Sequence, residues 1–354
     1  MTRSPAPHGY HKELGEKKTG RKRKILLFLV TNLIAAACLY WSLRGAELQD
    51  LPDDLRQMSW GWIVVAVISD ILVYCWHGLR WSLLLQPLAP VSFRKTIQAV
   101  YVGLFTNEVL PFRLGELVRC YLIGRWYLLP FSVTISSAII ERVFDGIWLS
   151  LCLVVMLMYV DFPPEQHYFV VGGYVVAGVA LGLAALLVLG AMQRERVKAL
   201  LPGDGWRLSI RIMLDDLYKM GRSRYLYLSF FQSLPYLLIS TIPIYAALRG
   251  YQFELGWGVA FAVMVILRLG SVVPQAPGNI GFYQACTIAS LVHILGAVDD
   301  VAAAKRFSLV LWAIVTIPLL LGGLIAVLIT EDKIGDLTRA AQAEVGKEGP
   351  VGTS

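Results

Sequence analysis

The chain has 354 residues, of which 56% are hydrophobic and 16% charged, with a mean hydropathy of +0.60, far above the apolar share of a soluble domain. Short alternating strands are absent, which excludes an outer-membrane barrel, and the net charge of +7 comes without the basic–aromatic interleaving that nucleic acid demands. Five cysteines (Cys38, Cys75, Cys120, Cys152, Cys286) lie scattered in apolar runs with no CxxC pair, so neither a disulfide framework nor a metal site is expected.

These features predict an all-α, polytopic helical membrane protein with two re-entrant hairpins and inverted repeats. Residues 1–24 end in Arg21-Lys22-Arg23-Lys24 and read as a disordered basic cytoplasmic tail that fixes orientation; binding to anionic headgroups is the sharper alternative. The transmembrane domain is assigned to 25–330 and a polar C-terminal tail to 331–354. Ile25 to Leu43 forms the first span. The Lys-free loop from Arg44 to Ser59 carries Glu47, Asp50, Asp53 and Asp54 and fits the outside. Trp60 to about Leu85 returns inward. On it Asp70, Tyr74 and His77 share a face, with Arg80 close by. Arg80 reads as a snorkelling anchor near the cytoplasmic end, and Asp70 as either half of an intramembrane pair or a lining residue.

Tyr101 to Asp145 is the unusual stretch. Between apolar flanks it holds Asn107, Glu108, Pro111, Arg113, Gly115, Glu116 and Arg119, and then Glu141, Arg142 and Asp145. An ionisable group at membrane depth costs roughly 2.5–3.5 kcal/mol on insertion scales, so it faces a partner or a cavity. Pro111 and Gly115 break the helix, which lipid tolerates only where the irregular backbone is buried in protein or lines water. Ile97 to Leu110 and Leu114 to Leu129 are each too short to span comfortably and predict a hairpin entering and leaving on the cytoplasmic side. Ser132 to Val160 then crosses outward, and Tyr168 to Met192 comes back. The loop from Gln193 to Arg224 carries eight Lys/Arg against four acids, as the cytoplasmic side should; its second half reads as a surface amphipathic helix. Tyr225 to Leu248 goes out. Trp257 to Val273, the turn around Pro277, Gly278 and Gly281, and Phe282 to Leu295 form a second interrupted pair before Phe307 to Ile329.

Pro111-x-x-x-Gly115 and Pro277-x-x-x-Gly281 follow a Leu/Gly pair in each half and precede a charged pair, Glu141-Arg142 or Lys305-Arg306. Two such units of opposite orientation predict a transporter with a site at the repeat interface.

The ordered motifs Leu110-Pro111-Phe112-Arg113-Leu114-Gly115-Glu116-Leu117-Val118-Arg119, Glu141-Arg142-Val143-Phe144-Asp145 and Pro277-Gly278-Asn279-Ile280-Gly281 carry a resemblance over about residues 25 to 330. The chain resembles the flippase-like family typified by the transmembrane region of lysylphosphatidylglycerol synthase/flippase, whose pattern is P-x-R-x-G-E-x-x-R, E-R-x-x-D and a late P-G-x-x-G. The resemblance implies a protein that moves a phospholipid or polyprenyl-linked lipid between leaflets of a bacterial inner (plasma) membrane. About 25 polar residues follow Ile329, too few for the aminoacyltransferase domain of the best-known members, so lysyl transfer is not expected. The chain is read as no enzyme and as needing no cofactor.

A cationic, hydrated pocket would pass an anionic headgroup, because arginine matches phosphate with a bidentate fork. Arg113 and Arg119 are the leading phosphate contacts, with Arg142 and Arg268 as further contributors. Glu116, Glu141 and Asp145 would hold those arginines, and Pro111, Gly115, Pro277, Gly278 and Gly281 would shape the hairpins. The competing account makes the charges ion pairs that merely permit insertion. Other classes are a scaffold for a separately encoded lipid-modifying enzyme or glycosyltransferase, a lipid-modifying membrane enzyme, and an ion or amino-acid carrier.

Overall fold

The computed structural model describes residues 33, 36–110, 114–193, 196, 223–271, 277–330 and 334–347. Pro111 and Arg113 lie outside them, as do the N-terminal tail, most of the first span and nearly all of the 193–224 loop, including its expected amphipathic helix.

Every described regular element is helical. After a helical stretch at 36–43 come α1 (Leu51–Gln57), α2 (Trp60–Leu85), α3 (Phe93–Val109), α4 (Gly115–Tyr127), α5 (Phe131–Tyr159) and α6 (His167–Met192). They are followed by α7 (Arg224–Ile239), α8 (Thr241–Gly250), α9 (Trp257–Gly270), α10 (Phe282–Ile288), α11 (Val301–Thr330) and α12 (Ile334–Lys347). Among the described residues four helical stretches are long and apolar enough to cross a bilayer: Trp60–Leu85, Pro164–Leu183, Arg224–Gly250 and Val301–Thr330. α5 adds 29 residues with its charges in the first half. The protein is an all-α polytopic membrane protein.

The interrupted segments fall where the sequence places them. α3 has 17 residues and α4 has 13; at 1.5 Å per residue they reach roughly 25 and 20 Å, short of a hydrocarbon core of about 30 Å. α9 has 14 residues, and α10 runs on through one π-helical turn, Ala289–Ile294. The span expected from Tyr225 to Leu248 is two helices, α7 and α8, meeting at Ser240. Pro243 sits in the first turn of α8, where a missing N–H leaves no intrahelical bond unmade.

Lipid tails offer no hydrophobic drive for helix association, so close approach of small residues does much of the packing. α3 and α4 illustrate this: a Cβ placed on Gly115 would collide with the Gly103 carbonyl oxygen. Asn107 Oδ1 accepts a hydrogen bond from the Gly115 N–H at 2.7 Å, closing the start of α4 onto α3. On the other side of α3, Gly322 and Gly323 of α11 give room to the Tyr101 and Phe105 rings.

Two apolar clusters result. One gathers Ile63, Ala66 and Val73 of α2 with Leu153 and Met156 of α5 and the inner faces of α8, α9 and α11. The other gathers Trp81, Leu84 and Leu85 of α2 with Val100 and Val102 of α3, Leu122 and Ile123 of α4 and Ile140 and Phe144 of α5. α2 and α5 run through both, and the change from one cluster to the other falls at His77 and Arg80 on α2 and at Asp145 on α5. In the C-terminal segment α12 packs on α4, with Leu337 and Ala341 buried.

Candidate functional site

At that seam the charged side chains close into a ring. Glu141 is its hub, with no exposed surface. Its Oε1 accepts from Arg80 Nη2 at 2.7 Å, and its Oε2 accepts from Arg119 Nη2 at 2.8 Å. Arg119 Nη2 also reaches Glu116 Oε2 at 2.6 Å. The other oxygen of Glu116 accepts from Arg142 Nη2 at 2.7 Å. Arg142 Nη1 reaches Asp145 Oδ2 at 3.4 Å, and Asp145 returns to Arg80, Oδ1 meeting Nη1 and Oδ2 lying 3.2 Å from Nη2. Three arginines alternate with three carboxylates, so the ring carries no net charge and every neighbour is attractive.

The helices set this register. Glu116 and Arg119 stand three apart on α4, as do Arg142 and Asp145 on α5, spacings that put side chains on one helical face. Arg80 of α2 joins them from 61 and 65 residues away in sequence. His77, one turn before it, places Nε2 3.2 Å from Glu141 Oε1 and 3.1 Å from Arg119 Nη1, between an acceptor and a donor. Ser233 Oγ of α7 accepts from Arg80 Nη1 at 2.9 Å. The guanidinium carbon of Arg80 lies 4.6 Å from the Tyr236 ring centre, and that of Arg119 lies 4.5 Å from Trp81, distances at which the ring faces attract a cation.

The ring is asymmetric in exposure. The side chains of Arg80, Arg119 and Glu141 are buried, whereas Arg142 and Glu116 are 47% and 36% exposed. One edge of an otherwise sealed polar centre therefore opens to the surroundings. Buried arginines held by carboxylates are fixed in place; a half-exposed one has donors left to offer an arriving anion.

A second cation stands nearby on α9, at the second helix interruption. Arg268 of α9 donates to Tyr236 Oη and Ser240 Oγ, each at 2.9 Å, and its guanidinium also lies over the Tyr236 ring, at 5.0 Å. Among the described residues no carboxylate lies within ion-pair distance of it. Tyr236 thus separates the ring's Arg80 from Arg268.

The Pro277–Asn279 turn packs against α3. Asn279 Nδ2 donates to Glu108 Oε1 at 2.9 Å, and Trp312 Nε1 donates to the Gly278 carbonyl at 2.8 Å. Gly278 and Gly281 have φ of 74° and 84°, a region that side-chain-free residues enter at little cost. The two interruptions therefore touch through Glu108 and Asn279.

Of the residues singled out from sequence, the structure brings Glu116, Arg119, Glu141, Arg142 and Asp145 together. Gly115, Gly278 and Gly281 stand at the helix interruptions. Arg113 and Pro111 lie outside the described residues. Arg80 corrects an expectation: it is a fully buried member of the ring and no snorkelling anchor. His77, Ser233 and Tyr236 are additions. The helical spacing of Asp70, Tyr74, His77 and Arg80 was the available signal for the first of these. Among the described residues no three His, Cys, Asp or Glu side chains are grouped to hold a metal.

Comparison with known proteins adds the following. A family model described as lysylphosphatidylglycerol synthase TM region matches residues 27–323. A UPF0104 membrane protein of Methanothermobacter thermautotrophicus is 20% identical over 288 residues, covering 73% of this chain and 82% of that protein. A UPF0104 membrane protein of Methanocaldococcus jannaschii is 29% identical over 117 residues, 32% of each chain.

Proposed function

The chain belongs to the lysylphosphatidylglycerol synthase TM region family, and from that premise we propose that it is a lipid flippase, moving a phospholipid or polyprenyl-linked lipid between the leaflets of a bacterial inner membrane. The observation that carries this reading is the half-exposed Arg142–Glu116 edge of a neutral, otherwise buried charge ring. A structural ion cluster has no need of an open edge; a headgroup pathway does. The lipid phosphate would engage Arg142, and Arg268 would receive it on the second hairpin, while the acyl chains stay in the bilayer. Arg119 is held by Glu116 and Glu141, which keep its guanidinium oriented. Arg113, in the same motif as Glu116, is assigned to the headgroup on sequence grounds.

In this reading α3–α4 and α9–α10 are re-entrant hairpins of oppositely oriented repeats, meeting at the Glu108–Asn279 contact. Both termini face the cytoplasm.

The test is leaflet exchange in proteoliposomes, using fluorescent phosphatidylglycerol and a fluorescent polyprenyl phosphate. Protein-dependent exchange of either supports transport. Absence of exchange, together with stable co-purification of a lipid synthase or glycosyltransferase, would replace it with the scaffold reading.

A further inference from the structure

A second charge cluster lies apart from the ring, where the loop before α2 meets the start of α11. Arg306 of α11 is buried there. Its Nε donates to Asp54 Oδ2 of α1 at 2.5 Å, its Nη1 donates to the Ala46 carbonyl at 3.2 Å, and Asp50 Oδ2 lies 3.6 Å from Nη1. Asp54 Oδ2 also accepts from the hydroxyl of Tyr251, just after α8. Lys305 Nζ donates to the Arg44 carbonyl at 2.6 Å, and Gln252 Nε2 donates to that of Gln57. The Tyr251 ring in turn packs on Phe253 and on the fully buried Phe307, with ring centres 5.1 and 5.4 Å away. Residues 44–57, the turn after α8 and the start of α11 are thereby clasped together.

The clasped loop is held by these bonds more than by burial. Its ends are seated, with Ala46 and Met58 buried, but neither α1 nor the short turn before it, Leu48–Asp50, buries a residue. Leu51 is partly covered by the first apolar cluster, and α1 does not pack along any membrane helix. Elements with few buried apolar contacts are the ones that open at low cost. Arg306, by contrast, stands on a helix of 30 residues. The clasp also has a definite place relative to the ring. α2 begins beside it, where the Ser59 N–H donates to the Gly250 carbonyl at 2.8 Å, and reaches the ring at His77 and Arg80. At 1.5 Å per residue the two lie roughly 27–32 Å apart along the helix, about one hydrocarbon thickness. The first apolar cluster occupies the interval. One polar closure thus stands at each end of an apolar middle, and they differ: the ring has an exposed edge, whereas the cation of the clasp is covered.

We propose that the Arg306–Asp54–Tyr251 clasp is the outer gate of the transport cycle, with residues 44–57 as its lid, and that the lid releases Arg306 when a headgroup passes. With the clasp shut and the Arg142–Glu116 edge exposed, access is from one side only, as alternating access requires. Opening the lid takes Asp54 and Asp50 away from Arg306 and leaves a guanidinium with donors to offer. A lipid phosphate supplies the acceptors that the carboxylates give up, so the anion favours the open lid by its differential affinity for that state. Arg142 and Arg306, one from each of the two charged pairs, then serve opposite ends of the path. This rests on the lipid-transport reading and adds the outer closure of the route.

The experiment uses the full-length protein, cleared of native cysteines, in phosphatidylcholine vesicles carrying fluorescent phosphatidylglycerol. Asp54→Cys and Arg306→Cys are introduced together and joined by a bifunctional thiol reagent that a reductant cleaves. Exchange by the linked protein is expected to be at least about tenfold slower than after cleavage, because a lid that cannot open stops every turnover. A clasp that is merely structural would tolerate the link. Exchange that is equal before and after cleavage would therefore overturn the inference, while exchange by the cysteine-free parent keeps lipid transport standing. No exchange by that parent would remove the transport reading and this inference with it. A second readout follows the lid itself. Phe253→Cys should react with an impermeant thiol reagent at least about tenfold faster once Arg306→Gln removes the charged hydrogen bonds; an unchanged rate would also overturn the inference. If Arg306→Gln does not fold, the comparison of linked and cleaved protein decides.

Discussion

Arg80 and Arg142 occupy the same ring but answer to different physics. Arg80 is sealed between Glu141, Asp145 and Ser233. Removing one partner of such a group leaves an uncompensated buried charge, typically 3–5 kcal/mol. Glu141→Gln is therefore expected to destabilise the protein by about that amount, read as a lower denaturation midpoint in detergent. Arg142 is half exposed, and its partners Glu116 and Asp145 stay paired with Arg119 and Arg80, so Arg142→Gln should lower the midpoint clearly less than Glu141→Gln does. Equal losses in the two variants would contradict the division between a sealed core and an open edge. Much of this ring was legible in sequence, because Glu116–Arg119 and Arg142–Asp145 are local pairs in a charged, apolar-flanked stretch. Arg80 was not, since a lone arginine near a helix end usually snorkels, and its partners are more than 60 residues away in the chain.

At the scale of elements, the site depends on how closely α3 and α4 approach. The Gly103 carbonyl occupies the space that a side chain on Gly115 would need. Gly115→Ala must push the helices apart, with an overpacking cost of about 1–3 kcal/mol or more, and it should shift Glu116 and Arg119 out of register. Gly146 on α5 has nothing within 4 Å of an added Cβ, so Gly146→Ala is expected to keep both stability and transport. Loss of folding in both variants, or in neither, would contradict this packing. Pro111 and Gly115 announced the α3–α4 interruption, and Pro277 and Gly281 the second one, because each disfavours a continued helix. The α7–α8 break at Ser240 gave less warning: no charged residue or glycine marks it, and proline is no sure guide in this run, since Pro235 lies within a helix. The helix at Ile334–Lys347 was hidden by its polar composition; among its described side chains Leu337, Thr338 and Ala341 turn inward.

For the whole molecule, the account requires a particular placement in the membrane. Exposed aromatic residues stand at the helix ends beside the loops assigned to the outside, Trp60, Tyr159, Tyr168 and Trp257 among them, as expected of side chains that favour the bilayer interface. The loop rich in Lys and Arg between α6 and α7 is assigned to the cytoplasm. A cysteine at Gln166 should then react with an impermeant thiol reagent from outside intact cells, and one at Ser223 only after permeabilisation, in a background cleared of native cysteines. The reverse pattern would invert the topology and the direction assigned to each hairpin. The overall class and the order of the described helices were readable from hydropathy, whereas the meeting of the two interruptions at Glu108 and Asn279 depends on tertiary packing that no local pattern encodes.

The most direct test of the central claim compares exchange of fluorescent phosphatidylglycerol and polyprenyl phosphate by wild type and Arg142→Gln, at matched reconstitution and matched stability. Passage of the headgroup along the open edge of the ring predicts protein-dependent exchange that falls at least about tenfold in the variant, as loss of one charge-assisted phosphate contact worth roughly 1.5–3 kcal/mol would produce. Exchange at the wild-type rate in Arg142→Gln would contradict the account and return the ring to a purely structural role.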